Sequence, residues 1–239
     1  MFGSSNPYAV SGSRDTVAYA AVSERTAFIQ RTYVHLGGAV MAFVSLEAVL
    51  LSIIPAEKIF GLLRGGYSWL VVLALFMGVS WLANKWAHNG TSRGMQYAGL
   101  SLFVIAEALI FLPLMAIAFM KSPDLPLQAG ILTAIIFGAL TAMAFITKAD
   151  FSWMGKVLMI VGFGAMAMIV VSIFAQFPLG VFFVGAMIVF ASAYILYDTS
   201  NVIHHYRTDQ HVAASLALFS SVALLFWYIL QLLMSFSQD

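Results

Sequence analysis

The sequence lacks cysteine and has very few charged residues. Without cysteine, the 239-residue chain can form neither disulfides nor thiolate metal sites, and it has no thiolate nucleophile. Charged residues make up 9% of the chain, against about 25% in an ordinary soluble domain. The net charge of +1 and the scattered Lys and Arg residues argue against a nucleic-acid partner. So few charges cannot solvate the surface of a soluble domain.

Apolar residues are what the chain has in abundance. They make up 62% of the sequence, and the mean hydropathy is +0.95. Each apolar run is near the ~20 residues needed to cross ~30 Å of hydrocarbon. We therefore predict an all-α integral membrane protein, embedded in the lipid bilayer, with seven transmembrane helices at roughly 33–54, 67–87, 95–120, 127–147, 153–177, 179–203 and 212–236.

The chain is predicted to have two parts. Residues 1–31 form a polar, disordered, cytoplasmic tail, and residues 32–239 form the seven-helix domain. The tail lacks the basic-then-apolar order of a cleavable signal, so the first span is expected to direct insertion. Eight of the eleven Lys and Arg residues fall on the side of the N-terminus, and the positive-inside rule therefore places that terminus in the cytoplasm.

Three carboxylates lie within the predicted spans: Glu47, Glu107 and Asp198. An ionised Asp at a helix centre costs about 2.5–3.5 kcal/mol on insertion scales, so such residues mark an ion path, a proton relay or a buried structural pair. The structural alternative is a carboxyl group that is hydrogen-bonded across helices. The sequence leaves both interpretations open.

Asp198 is followed directly by three more polar residues, Thr199, Ser200 and Asn201, near the end of the sixth span. Oxygen ligands of this kind suit a hard cation such as Ca²⁺, or a water-filled vestibule. They also suit a structural role, since Ser and Thr bond back to their own helix and Asn can close a helix end. Beyond Asp198 as a possible calcium ligand, we predict no metal site.

The motifs of membrane-embedded enzymes are missing. There is no Gly-x-Gly-Asp of an aspartyl protease, no Gly-x-Ser-Gly of a rhomboid protease and no His-Glu-x-x-His of a zinc protease. The last span has no Lys that would carry retinal. We therefore predict a protein that is not an enzyme and that has no cofactor.

The segment "ILYDTSNVIHHYRTDQHVAASLALFSSVALLFWYILQLL" at 195–233 resembles the end of the Bax inhibitor-1 (transmembrane Bax inhibitor motif) family, in its bacterial branch. The residues that carry the resemblance are Tyr197, Asp198 and Thr199, the Asn-Val-Ile-His that follows at 201–204, and the last span, rich in Ala and Leu. "FVIAEALIFLPLM" at 103–115 resembles the third-span segment of the family, and the likeness covers essentially the whole chain.

The resemblance implies a fold in which the last helix is central, in a bacterial inner membrane. It also implies a pH-sensitive calcium leak, with an ion path through Asp198, Glu107 and Glu47 and with Asp198 as the proton-sensitive gate. The family gate pairs two aspartates, but this chain has Phe219 where the second is expected, followed by Ser220 and Ser221. Asp198 is therefore expected to bond one of these two serines and hold a closed state with weaker pH dependence, unless this chain has lost the leak.

The resemblance also leaves a second function open. Other members of the family bind and inhibit a membrane-anchored AAA quality-control protease, or restrain cell death and stress responses. A regulator of that kind needs surfaces and no ion path. The two alternatives differ in what they require of Glu47, Glu107 and Asp198: convergence on one wet cavity favours transport, and separate, dry positions favour a regulator.

Overall fold

The computed structural model describes residues 16–63, 68–90 and 92–237. These residues form eight helices, joined by short connections: α1 (Val22–Ile53), α2 (Ala56–Leu63), α3 (Ser68–Ala87), α4 (Arg93–Lys121), α5 (Leu125–Thr147), α6 (Met154–Ala175), α7 (Gly180–His204) and α8 (His211–Phe236). Of the helices described, α1 and α3 to α8 are long and apolar enough to cross a membrane. The predicted class and the seven predicted spans are confirmed.

The predicted tail boundary at residue 31 is wrong, because α1 begins at Val22. Its first turns are polar in composition, but Phe28 and Thr32 are buried in the bundle. The chain before α1 is also docked: the Val17 N–H donates to the Tyr206 carbonyl at 2.9 Å, and Val17 is fully buried. Residues 1–15 lie outside the described residues.

The connection between the first two predicted spans contains a helix that was not predicted. The eight residues of α2 follow Pro55, and Ile59 is buried against Leu112 and Ala116 of α4. Phe60 is partly buried in the same cluster, whereas Ala56, Glu57 and Lys58 are exposed, so a hydropathy average over the segment does not reveal this amphipathic helix. It packs across the end of α4.

The last helix occupies the middle of the bundle. α8 packs against α1, α3, α4, α5 and α7. It buries residues on all sides, whereas α6 touches mainly α7 and buries only Leu158. With α4, which is also mostly buried, α8 forms the core of the protein. The central position that the resemblance implied for the last helix is confirmed.

The two ends of the bundle are fixed by contacts between loops and helices. At one end, which we call the Tyr206 end, Val17 pairs with Tyr206 and the Phe151 N–H donates to Ser200 Oγ at 2.9 Å. At the opposite end, Lys121 Nζ donates to the Met234 carbonyl at 3.0 Å. Successive long helices therefore cross the bundle in alternating directions.

The helices α3 and α4 pack closely at Gly99, where α4 crosses α3. A Cβ atom at Gly99 would lie 2.6 Å from the Ala83 carbonyl oxygen and 2.6 Å from the Ala87 nitrogen. Both are backbone atoms of a helix and cannot move aside alone. Only glycine allows α3 and α4 to approach this closely.

We predict that Gly99→Ala destabilises the protein by about 1–3 kcal/mol, because the added methyl group forces the two backbones apart. The midpoint of thermal unfolding in detergent measures the effect. Gly138→Ala is the matched control, since a Cβ at Gly138 meets nothing within 4 Å. The control should match or slightly exceed the wild-type midpoint, and equal midpoints for all three proteins would contradict the packing argument.

Candidate functional site at the contact between α7 and α8

Asp198 lies on α7, buried against α8, and its carboxylate oxygen Oδ2 is hydrogen-bonded to Ser221 Oγ. Neighbouring residues of a helix point about 100° apart, so only one of two adjacent serines can face Asp198. Ser221 is that residue, and Ser220 points into a cavity instead. The expected bond to a serine of the last span is therefore present.

The Ser221 hydroxyl has two acceptors within reach. Besides Asp198, the carbonyl oxygen of Ala217 lies 3.2 Å from Ser221 Oγ. A hydroxyl carries one proton, so it can donate to only one of them. With Asp198 neutral, the carboxyl donates to Ser221 and Ser221 donates to Ala217. With Asp198 ionised, Ser221 donates to Asp198 and the Ala217 carbonyl loses this second partner.

The polar residues after Asp198 have separate structural contacts. Ser200 Oγ accepts the Phe151 N–H and donates to the Ala149 carbonyl at 3.3 Å, which ties α7 to the connection between α5 and α6. The Asn201 carbonyl accepts the backbone N–H groups of His205 and Tyr206 and so closes α7. Ser200 and Asn201 therefore hold the helix end.

Thr199 belongs to a group of hydroxyls that the sequence did not reveal. Its Oγ1 is buried near the Tyr33 hydroxyl, and Thr141 Oγ1 is buried near the same hydroxyl. None of the three oxygens has a hydrogen-bond partner of good geometry. Tyr33, Thr141 and Thr199 lie on α1, α5 and α7, and nothing in their spacing along the chain indicates that they meet.

Glu47 and Glu107 face two different cavities. Glu47 lines a cavity of about 840 Å³ between α1, α2, α4, α5 and α8, and Glu107 lines one of about 700 Å³ between α3, α4, α6, α7 and α8. The described linings of the two cavities share no residue, and Asp198 is in neither. The three carboxylates do not converge on one cavity, although Ser220 connects the lining of the Glu107 cavity to the Asp198–Ser221 contact.

A second group that sequence reasoning missed lies at the Tyr206 end. The rings of His35 and His211 meet edge to face with centroids 5.0 Å apart, and His35 Nε2 is 3.1 Å from the Tyr97 hydroxyl. His211 Nδ1 is buried without a partner. These residues are far apart in sequence, and only the convergence of α1, α4 and α8 brings them together.

Two titratable groups in the loops at the Tyr206 end, Tyr206 and Asp150, have shifted pKa values. Burial, and then the nearby negative charge of Asp198, raise the pKa of the Tyr206 phenol. The Ser152 N–H, donated to Asp150 Oδ1 at 2.9 Å, lowers the pKa of Asp150 to about 2, with His205 Nε2 adding a contact at 3.2 Å. Asp150 links the start of α6 to the end of α7.

Seven long apolar helices, six of them arranged around α8, with a buried carboxylate at a helix contact, define a helical membrane protein without extramembrane domains among the described residues. The family model described as "Inhibitor of apoptosis-promoting Bax1" matches residues 25–238. The chain belongs to this family. A comparison with curated proteins finds no match. Membership supports a general role as a membrane regulator or channel-like protein.

We predict that Ser221→Ala destabilises the protein by about 1–3 kcal/mol, because the buried Asp198 oxygen loses its partner. Ser220→Ala is the matched control: it removes the same atom from the next residue, which faces a cavity. Thermal unfolding in detergent at pH 7 compares the two. Equal losses for both variants would contradict the assignment of the bond to Ser221.

A further prediction concerns pH. The folded-state pKa of Asp150 lies below its ordinary value of about 4, so its contribution is complete above about pH 4 and is lost as the pH falls through about 2. The side chain is half exposed, which limits the contribution to less than about 1 kcal/mol. The midpoint difference between wild type and Asp150→Asn should therefore shrink from pH 5 to pH 3. A difference that is constant or grows would refute this.

Proposed function

We propose that this protein is a cation leak, with calcium as the ion, and that the closed pathway is held by the contact between Asp198 and Ser221. The observation that carries the proposal is this contact: a buried carboxylate joins α7 to the central helix through a single hydroxyl. A titrating group at that position couples proton binding to helix packing.

The contact between Asp198 and Ser221, which we call the latch, has two states because the Ser221 hydroxyl carries a single proton. Neutral Asp198 completes a chain through Ser221 to the Ala217 carbonyl, and every group in it is satisfied. When Asp198 is ionised, Ser221 donates to Asp198 and no longer to Ala217. The charge then lies among apolar side chains, and this burial is costly unless other groups also donate hydrogen bonds to the carboxylate. Water entering between α7 and α8 supplies those donors, so ionisation favours the open state.

The pathway that this latch interrupts includes Glu107. The Glu107 cavity reaches α8 at Ser220, one residue from the latch, and extends to Gln231 and Ser235 toward the opposite end. Carboxylate and hydroxyl oxygens along it suit a hard cation. Glu47, in its own cavity, stands apart from this route. A calcium ion would thus meet Glu107 before Asp198.

We further propose that the Tyr206 end faces the cytoplasm of a bacterial inner membrane. The loops at that end contain Arg207 and Lys148, and Lys121 lies at the other end beside Met234. An excess of basic residues in short loops is the usual mark of the cytoplasmic side.

We predict that calcium flux into liposomes containing the purified protein, measured at pH 6, 7 and 8, increases with the fraction of Asp198 that is ionised. Asp198→Asn, which keeps the shape of the neutral acid, should remain at the low flux at every pH. Glu107→Gln should reduce the flux at pH 8, since it removes the charge in the pathway.

Glu47→Gln is the matched control for flux, because it makes the same change in the other cavity and should leave the pH profile unchanged. Absence of flux in all four proteins, with folding confirmed by thermal unfolding, would overturn the leak. The same pH profile in wild type and Asp198→Asn would overturn the assignment of the latch.

The alternative is a non-conducting regulator that binds a membrane-anchored AAA protease. The three carboxylates do not share a cavity, and this separation, together with the exposed face of α6, favours it. Gly162 packs against Phe190 of α7, but a Cβ at Gly164 meets nothing within 4 Å, so a partner helix could approach there. Loss of co-purification with such a protease in Gly164→Leu, with flux absent, would support the regulator.

A further inference from the structure

Glu47 is a buried carboxyl group without a partner. It lies in the last third of α1 with 2% of its surface exposed, and both of its carboxylate oxygens lack a hydrogen-bond partner. Buried carboxylates are usually hydrogen-bonded or paired with a cation, so an unpaired one marks an incomplete site. The partner must come from the space that Glu47 faces.

That space is the cavity of about 840 Å³, which lies within the range of small-molecule sites. Its walls are almost wholly apolar and include Phe43, Met115 and Phe226. The other polar side chain described in the lining, Ser52, donates to the Val49 carbonyl at 2.8 Å. Glu47 is therefore the polar side chain in the described lining whose two oxygens are both available to accept hydrogen bonds from a ligand.

The cavity is accessible from the bilayer between α1 and α5. Val44 and Leu127, which line it, are 53% and 66% exposed on the apolar outer surface of the bundle. On the side of the connection after α1, Ile59 of α2 covers it. A molecule dissolved in the membrane can enter from the side, with its polar end reaching Glu47.

We propose that this cavity binds a hydrophobic amine, with the protonated amino group on Glu47 and the apolar body against the walls. An ammonium group supplies both the hydrogen-bond donors and the countercharge that a carboxylate in apolar surroundings requires. An acyl chain fills the volume but leaves both Glu47 oxygens unpartnered, and an anionic ligand meets a like charge. This proposal is independent of the leak, because the Glu47 and Glu107 cavities share no lining residue.

The test uses the full-length protein in phosphatidylcholine nanodiscs, whose lipid carries no primary amine. The probe is a dansyl fluorophore joined to an eight-carbon chain that ends in an amino group, and the neutral analogue has a methyl group in its place. Dansyl fluorescence is titrated against protein, with empty nanodiscs subtracted. We expect saturable binding of the amine by wild type, and binding of the neutral analogue at least tenfold weaker.

Three variants give the proposal its controls. Glu47→Gln should weaken amine binding at least tenfold, whereas Glu107→Gln, the same change in the other cavity, should leave it unchanged. Gly130→Leu keeps Glu47 but fills the cavity; a Cβ at Gly130 meets nothing within 4 Å, so the variant should fold and lose binding of both probes. Thermal unfolding confirms folding of each variant.

Two results would overturn the proposal. Equal binding of amine and neutral probe, unaffected by Glu47→Gln, would show a cavity for acyl chains in which the carboxyl group has no part. No saturable binding to wild type, or amine binding that survives Gly130→Leu, would show that this cavity is not the site.

Discussion

Every long helix except α6 packs directly on α8, so α8 has to be apolar around its whole circumference. Such a helix has few means of fixing its rotation, because apolar side chains pack almost equally well in several orientations. The bond between Ser221 and Asp198 fixes the rotation of α8, because rotating or sliding this helix would leave a buried carboxylate without its hydrogen-bond partner. The same contact that orients the central helix is thus the one that a proton can change.

The spans were predictable from the sequence because insertion into a bilayer requires long apolar runs, and those runs are visible directly. The predicted last span at 212–236 and α8, His211–Phe236, differ by one residue at the start. The start of α1 was not predictable in this way. Its first turns leave the apolar region and are held by Phe28 and by the docking of Val17 on Tyr206, contacts that hydropathy does not encode.

The residues of the polar site at the contact between α7 and α8 could be predicted from the sequence, but their spatial arrangement could not. Asp198 and the pair Ser220–Ser221 stand out in the sequence as polar residues in apolar helices, but the choice between the serines depends on the rotation of α8. The separation of Glu47 from Glu107 depends on which sides of α1 and α4 face each cavity. These are properties of packing, and periodicity in apolar helices of this kind specifies them weakly.

The sparse packing of α6 bears on the Glu107 cavity, because Met166 and Ile169 of α6 form one of its walls. Lipid tails are as apolar as the protein surface that they replace, so moving this helix exchanges protein contacts for lipid contacts at little cost. The residues that follow α5 and α6, Lys148 and Gln176, both have left-handed backbone conformations. The lipid that contacts α6 therefore contributes to the free-energy cost of widening or narrowing this cavity.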